Sequence, residues 1–307
     1  MRQNKKQHYI PKTYLKHFAV REDGKSLCLI DIENPYKRHI QVKDSGDSIF
    51  TLNNFYTSDK YYDPIGLELF FAREIEPMYP SLITELKKEN EISDWSYKFK
   101  LLQWIIYSKL RSPIWRQYFT DLLNNIERDE IDIPLDMSDA KDLIEYVAVN
   151  KNQLTKELHL NFFTSDETLK EQFESFTSVL TSKRWTIIRR PENSYWWTTD
   201  NPGFGIQLDN VPEDGVIIPS PFWEIRNNYT VLYYPLTKDY CLQIHPYNMG
   251  DDLHLNLRNT PIDFRIATES ETRWINFWTV CTNKRMVIAP TKRSLEEVES
   301  ILQANSL

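Results

Sequence analysis

Three short stretches of this 307-residue chain carry side chains that could do acid–base or phosphate chemistry. The first is QHYIPKTYLKHF, residues 7–18. Pro11 suits the first turn of a helix, so Lys12 to Phe18 is expected to run helically with Tyr14, Leu15 and Phe18 on one side. His8 and Tyr9 then precede that helix at its positive end, where a neutral imidazole could accept a proton or donate to an anion. On the residues alone, bonding of His8 to a backbone carbonyl, pinning the terminus down, is the favoured reading. The second stretch is WWTTDNPG, residues 196–203. Asp-Asn-Pro-Gly after a strand signals a turn, and Asp200 can close an Asx-turn. A carboxylate at a strand end, beside two hydroxyls and two tryptophans, can also present a general base or a cation ligand. The third candidate is Arg111, at an interruption between helical stripes. A guanidinium there could clamp a phosphate, or pair with Glu68, Glu74 or Glu76.

Other chemistries lack their signals. The chain has no Gly-x-Gly-x-x-Gly, no Gly-Lys-Ser/Thr loop and no His-Glu-x-x-His, and its seven glycines argue against a phosphate-cradling glycine loop. His8 and His17 stand nine residues apart, as do His245 and His254, and neither spacing puts two imidazoles on one helical face. Cys28, Cys241 and Cys281 are odd in number and far apart, and read as ordinary thiols of a reducing compartment. Trp185, Trp196, Trp197, Trp223, Trp274 and Trp278 crowd the C-terminal half. Core packing is their default role, and stacking of a base or sugar on an exposed indole the alternative.

The candidates must be positioned by elements that the apolar pattern outlines. SLCLIDI (26–32) and KRHIQVK (37–43) are β-prone runs joined by Glu33-Asn34-Pro35-Tyr36, an expected hairpin. From Asp63 to Leu180 the apolar period becomes helical, broken around Pro77 and Pro80. Leu102, Ile106 and Leu110 form one stripe, and Tyr118 with Leu122 continue it beyond Ser112-Pro113, which reads as an N-cap followed by a first-turn proline. Two helices meeting at KLRSP, or one sharply kinked helix, are expected. Thr164-Ser165-Asp166-Glu167 reads as a capping box before a helix carrying Leu169, Phe173, Phe176 and Leu180 on one face. From Lys183 onward RWTIIRR, SYWWTT, YTVLYYPL and YCLQIHP read as strands, followed by a helix around 267–283, a strand RMVIA and a capped helix opening at Ser294. The fold class is α+β: a central helical region flanked by an N-terminal β-hairpin and a C-terminal antiparallel β-rich part. One domain over 1–307 is expected, with sub-regions 1–62, 63–182 and 183–307.

Net charge is −7, unevenly distributed. Residues 1–50 carry ten Lys/Arg against six Asp/Glu, residues 51–180 carry 14 against 23, and residues 181–307 carry 13 against 15. The basic N-terminal segment could meet an anionic ligand, but a broad nucleic-acid face would need far more positive charge. No apolar run approaches the ~20 residues that span a bilayer, and no apolar stretch follows the charged N-terminus as in a signal peptide. A cytoplasmic protein with no membrane contact is the expectation, its protein partners open.

Taken together the three stretches resemble an uncharacterised bacterial family, domain of unknown function 4238. Its opening pattern Q-H-[YF]-[VI]-P-x-x-Y-L-x-x-F is matched from Gln7 to Phe18. Its Arg-[ST]-Pro is matched by Arg111-Ser112-Pro113, and its [TS]-S-D-N-P by Thr198-Thr199-Asp200-Asn201-Pro202, with Thr199 where the family usually has Ser. Pro235-Leu236-Thr237 looks like its P-L-[ST] strand, and Asn276 like the Asn of its late helix. The family supplies no settled activity. The resemblance implies that His8, Arg111 and Asp200-Asn201 converge in one pocket. A His, an Arg and an Asp without a nucleotide loop would suit hydrolysis at a phosphodiester, with His8 and Asp200 as acid and base and Arg111 as charge clamp. Tyr9, Asn201 and Asn276 would contact substrate, and Glu68 and Glu76 could hold a divalent cation. Two functions follow as expectations: a nuclease-like or nucleotide-directed phosphodiesterase, an effector in bacterial defence or a toxin, with a nucleic acid or nucleotide as ligand; or a non-catalytic ligand-sensing or protein-binding module whose motifs are structural.

Overall fold

In the computed structural model, residues 6–21, 23–33, 39–57, 65–89, 91–128, 137–208, 220, 229–246, 257–283 and 285–304 are described. The fold is α+β. The chain opens with β1 (Lys6–His8), which pairs antiparallel with β4 (Thr51–Asn53). Between them lie α1 (Lys12–Leu15), a 3₁₀ turn over Lys16–Phe18, and the expected hairpin, β2 (Leu27–Asp31) and β3 (Gln41–Lys43), paired antiparallel. Pro11 sits at the N-cap of α1 rather than inside it, and Tyr14, Leu15 and Phe18 are all buried. The Asn34-Pro35-Tyr36 connection lies outside the described residues.

The helical region is built around α4 (Trp95–Leu110) and α5 (Pro113–Glu127). Asp94 caps α4 by accepting from the Ser96 amide at 2.9 Å. The break at KLRSP is as expected: α4 ends at Leu110, Ser112 takes an extended conformation, and Pro113 starts α5. Upstream, α2 (Gly66–Phe70) runs into a π-helical turn over Phe71–Ile75, closed by the Glu76 amide on the Phe71 carbonyl at 2.9 Å. Pro77 then sits at the N-cap of α3 (Met78–Leu86). Pro80 does not interrupt α3, because it lies in the first turn, where amides have no helical acceptor. The long α6 (Met137–Asn161) packs along α5, and α7 (Asp166–Ser182) leads straight into the first C-terminal strand. Its cap is Ser165, one residue later than the capping-box reading. Leu180 is buried, whereas the side chains of Leu169, Phe173 and Phe176 lie outside the described residues.

The C-terminal strands are β5 (Lys183–Arg189), β6 (Thr198–Thr199), β7 (Phe204–Gln207), β8 (Thr230–Pro235), β9 (Tyr240–Pro246), β10 (Asp263–Ile266) and β11 (Met286–Ala289). Two sheets result. One has the order β10-β5-β9-β8-β7, the other β3-β2-β11-β6. The first departs from the antiparallel expectation at one edge, since β10 runs parallel to β5. A parallel neighbour carries no hairpin signal, because its connection is long and its pairing is chosen by packing. Helix α8 (Glu269–Cys281), capped by Thr268, and α9 (Lys292–Ala304) complete the chain. Helix α9 opens ahead of Ser294, with the Thr291 hydroxyl accepting from the Ser294 amide at 3.2 Å.

One apolar cluster runs through all three regions, joining Tyr14 and Phe18 to Tyr79 and Trp104 and on to Trp185 and Tyr234. Trp104 stacks on Tyr79 at 3.9 Å, and the Tyr14 ring lies 5.5 Å from Trp104 and 6.0 Å from Tyr234. Each such fully buried ring contributes about 1.5–3 kcal/mol of transfer free energy. Trp196 and Trp197 are buried too, Trp274 is exposed, and Trp223 lies outside the described residues.

Candidate functional site

Arg111 is the centre of the site, and it is wholly buried. The α4–α5 break exists at a place where a guanidinium can point inward. One terminal nitrogen donates to the His8 carbonyl at 2.6 Å, the other to Glu76 at 2.8 Å. Phe71 covers its cationic carbon at 4.3 Å and Tyr56 lies at 5.5 Å. The Tyr56 hydroxyl donates to the Arg111 carbonyl at 2.8 Å. Of the three carboxylates offered by the sequence, Arg111 pairs with Glu76, the residue whose amide closes the π-helical turn. His8 thus contributes its backbone, and its imidazole is half-buried. Burial holds the ring below the ordinary histidine range; Glu76 opposes and Arg111 reinforces that shift. Burial also raises the Glu68 carboxyl, against the pull of Arg111.

Asp200 and Asn201 reach the same joint from the other side. The Ser112 hydroxyl makes no helix cap; it donates to Asn201 Oδ1 at 3.3 Å. Thr199 Oγ1 accepts from the Asn201 amide at 3.1 Å, closing the turn. Asp200 accepts from the Met286 amide at 3.1 Å, which ties the turn to β11. Burial raises its carboxyl to about 6, with the Met286 amide and Asn283 opposing. Lys109 is buried beside it and donates to the carbonyls of Pro202 at 3.1 Å and Gly203 at 2.8 Å. Desolvation drives that amine well below its usual range, and Asp200 counteracts.

The remaining residues of the opening motif are also ties. Gln7, fully buried, accepts from the Tyr56 amide at 2.6 Å and donates to Thr57 Oγ1 at 3.1 Å. Tyr9 donates to the Ile49 carbonyl at 3.1 Å, and its phenol lies within electrostatic reach of Asp200, which with burial pushes it up. Tyr14 donates to the Pro235 carbonyl at 2.7 Å and meets Thr198 Oγ1 at 2.6 Å. Tyr79 reaches the Leu236 carbonyl. The twelve residues Gln7–Phe18 therefore bind the N-terminus to α4, to the 196–203 turn and to β8.

The structure brings His8, Tyr9, Glu68, Glu76, Arg111, Asp200 and Asn201 around the α4–α5 joint. Asn276 stands apart: its amide latches α8 to the chain at the Trp197 nitrogen (3.0 Å) and the Tyr195 carbonyl (2.8 Å). Among the described residues no three His, Cys, Asp or Glu side chains are grouped to hold a metal ion. Glu76 is engaged by Arg111, while Glu68 Oε2, His8 Nδ1, Arg111 Nε and Asn201 Nδ2 are buried without hydrogen-bond partners among the described residues. Sequence reasoning missed Lys109, although an amine inside an otherwise apolar helical stripe was a usable signal. It also missed His159, buried under the joint. Its Nε2 bonds the Leu110 carbonyl at 2.7 Å, and its Nδ1 meets Arg116 at 3.2 Å. Nothing in the local pattern marked it.

A family model described as protein of unknown function (DUF4238) matches residues 6–293. None of the curated proteins and none of the solved structures matches the chain. Among the described residues no helix is long and apolar enough to cross a membrane.

Proposed function

The chain belongs to the DUF4238 family, and we propose that it is a non-catalytic ligand-sensing or partner-binding module in which the family motifs form a buried polar lock. One observation carries this reading. Arg111 has no exposed surface, and both its terminal nitrogens are committed, to the His8 carbonyl and to Glu76. A guanidinium already neutralised by a carboxylate and covered by Phe71 is poorly placed to clamp an incoming phosphate. Asp200 is engaged in the same way, by the Met286 amide. The lock joins three sequence-distant segments, so its strength governs how the N-terminal segment sits on the rest. The test is thermal melting of Arg111→Met beside a cleavage assay on RNA, DNA and small nucleotides. The lock reading expects a lowered melting temperature and no cleavage to lose. Unchanged melting with loss of a wild-type cleavage activity would reverse it.

A second reading keeps the phosphodiesterase, favoured by the unused hydrogen-bonding capacity of His8 Nδ1, Glu68 Oε2, Arg111 Nε and Asn201 Nδ2. Unsatisfied buried groups cost about 1–3 kcal/mol each, and a bound ligand or water would relieve them. In this reading the half-buried His8 is the acid or base and Glu68 a cation ligand or second base. A cleavage activity abolished by His8→Ala at unchanged melting temperature would select it.

A further inference from the structure

The two edges of the five-stranded sheet differ in how their backbone groups are used. At β7, Gly205 and Ser220 exchange both backbone bonds, at 3.0 and 2.8 Å, which closes that edge there. The opposite edge is β10, which pairs with β5 alone. Successive residues of a strand turn their N–H and C=O groups to opposite sides. Ala267, just past β10, donates to the Arg189 carbonyl at 2.8 Å, so Asp263 and Arg265 face β5, and Phe264 and Ile266 face outward. Ile262 shares their parity and donates outward to the Ile92 carbonyl at 2.9 Å. Among the described residues nothing bonds the N–H or C=O of Phe264 or Ile266. Proteins commonly guard such an edge with charge. Arg265 does not, because its guanidinium lies over the sheet on Glu271, at 2.5 and 2.7 Å. Asp263 stands at the end that Ile92 already occupies. The open end carries Ile266, 66% exposed.

The side chains follow the same register. Ile266 lies beside Arg189 and Arg189 beside Tyr240, so the three form a row on one face. All three line a cavity of about 690 Å³, with Lys87, Arg190, Pro191, Glu192 and Asp239. Its charges balance. Arg189 pairs with Glu89 at 3.4 Å, Arg190 pairs with Asp239 at 2.6 Å, and Lys87 and Glu192 are one of each sign. The next row, Phe264, Ile187 and Leu242, is entirely apolar, and Phe264 packs half-buried on the main apolar cluster. A strand added antiparallel to β10 sets one residue opposite Ile266 and another, two positions along, opposite Phe264. Each pair exchanges both backbone bonds, and its side chains point the same way. The first side chain then lies over the cavity, and the second covers Phe264.

We infer that the β10 edge receives an extended peptide segment of a partner protein, antiparallel, with apolar side chains at the two alternate positions opposite Ile266 and Phe264. Two N–H and two C=O groups in line are satisfied together by a strand. The charge-balanced cavity, floored by Ile266 and Tyr240, suits a large uncharged side chain. A second copy of β10 fits less well, since pairing Phe264 with Ile266 across the two copies sets both Arg265 side chains opposite each other, like charge to like. This names a partner class for the module proposed above and rests on that reading.

The experiment is fluorescence-anisotropy titration of the full chain into a labelled octapeptide, Lys-Thr-Phe-Thr-Ile-Thr-Thr-Lys, whose Phe falls opposite Ile266 and whose Ile falls opposite Phe264. The octapeptide is expected to bind. N-methylation of its Ile, whose N–H faces β10, should weaken binding about tenfold, and N-methylation of the Thr between Phe and Ile, whose N–H faces away, should leave it unchanged. Replacing its Phe by Thr should also cost about tenfold, through the apolar surface left uncovered. On the protein, Ile266→Pro removes the outward N–H and no bond to β5, and is expected to weaken binding about tenfold. Ile266→Lys installs the missing guard and keeps the test in hand if proline disturbs the strand. Val149→Lys, at an exposed position on α6, should leave binding unchanged. Absence of octapeptide binding overturns the inference. So does binding indifferent to Ile266→Lys, or to which amide is methylated. A chain that sediments as a dimer and becomes a monomer on Ile266→Lys makes a second copy the occupant, and overturns it too. If the peptide fails to bind while Arg111→Met still lowers the melting temperature, the edge site falls and the lock remains.

Discussion

Replacing Arg111 by Met tests the lock where its physics is sharpest. The change leaves the Glu76 carboxylate, 21% exposed, without its counter-charge, and the His8 carbonyl without its donor. Methionine fills much of the volume under Phe71, so the loss is electrostatic rather than a cavity. Breaking a buried pair from one side costs about 3–5 kcal/mol. At about 2.1 cal/mol/K per residue, the unfolding entropy of 307 residues is roughly 0.6 kcal/mol/K, so the melting temperature should fall by about 5–8 °C. Circular dichroism melts with parallel urea titrations measure it. Arg111→Lys should recover only part, since a single ammonium cannot span both the His8 carbonyl and Glu76. The double variant Arg111→Met/Glu76→Leu should regain about half the loss or more, because it removes the stranded carboxylate. A single variant melting within a degree of the wild type would refute the argument. So would a double variant whose two losses simply add.

Asp200→Asn should change the pH dependence of stability. The folded carboxyl titrates near 6 instead of 3.8, so the folded state holds its proton more tightly and stability falls as pH rises through about 4 to 6. Relative to Asp200→Asn, the wild type should lose on the order of 3 kcal/mol between pH 4 and 7 in urea unfolding; a constant difference across that range would contradict it. His159 works in the opposite sense, since burial and Arg116 lower its folded pKa to about 3 from 6.5 and its contribution is lost as pH falls below about 6. His159→Phe should flatten the acid limb between pH 4 and 6 by close to one proton, read from the slope of unfolding free energy against pH. Ser112→Ala should cost about 1 kcal/mol through the lost Asn201 bond, and the variant should show a disturbed Asn201 side-chain amide signal by NMR. If Ser112 were a helix cap instead, that signal would not move.

The local elements were legible because their causes are local. A Leu-Cys-Leu-Ile run marked β2, Val, Ile and Tyr marked β8 and β9, and Ser112-Pro113 marked the end of α4, since a proline can start a helix but cannot continue one. Tyr14, Leu15 and Phe18 were read as one side of a helical segment, and all three are buried. The caps slipped by a residue or more at Ser165 and Thr291, where two hydroxyl residues compete and packing of the following helix decides between them.

The sequence alone determined the α+β class and the break at KLRSP, while a convergence of His8, Arg111 and Asp200 was implied only by the family resemblance. Tertiary structure decided what those residues do. Strand β11 pairs with β2, Val287 opposite Ile30, and with β6, Val287 opposite Thr199, and β10 lies parallel to β5. No nearest-neighbour preference specifies such pairings; they follow from burying the apolar faces of both sheets together. The same packing chose Glu76 from three carboxylates for Arg111, turned the Ser112 hydroxyl from its helix to Asn201, and set Asp200 on the Met286 amide. A side chain's type fixes which bonds it can make. Which one it makes depends on the partner that the fold buries beside it, because a buried charge or donor left unpaired costs more than the alternatives differ by.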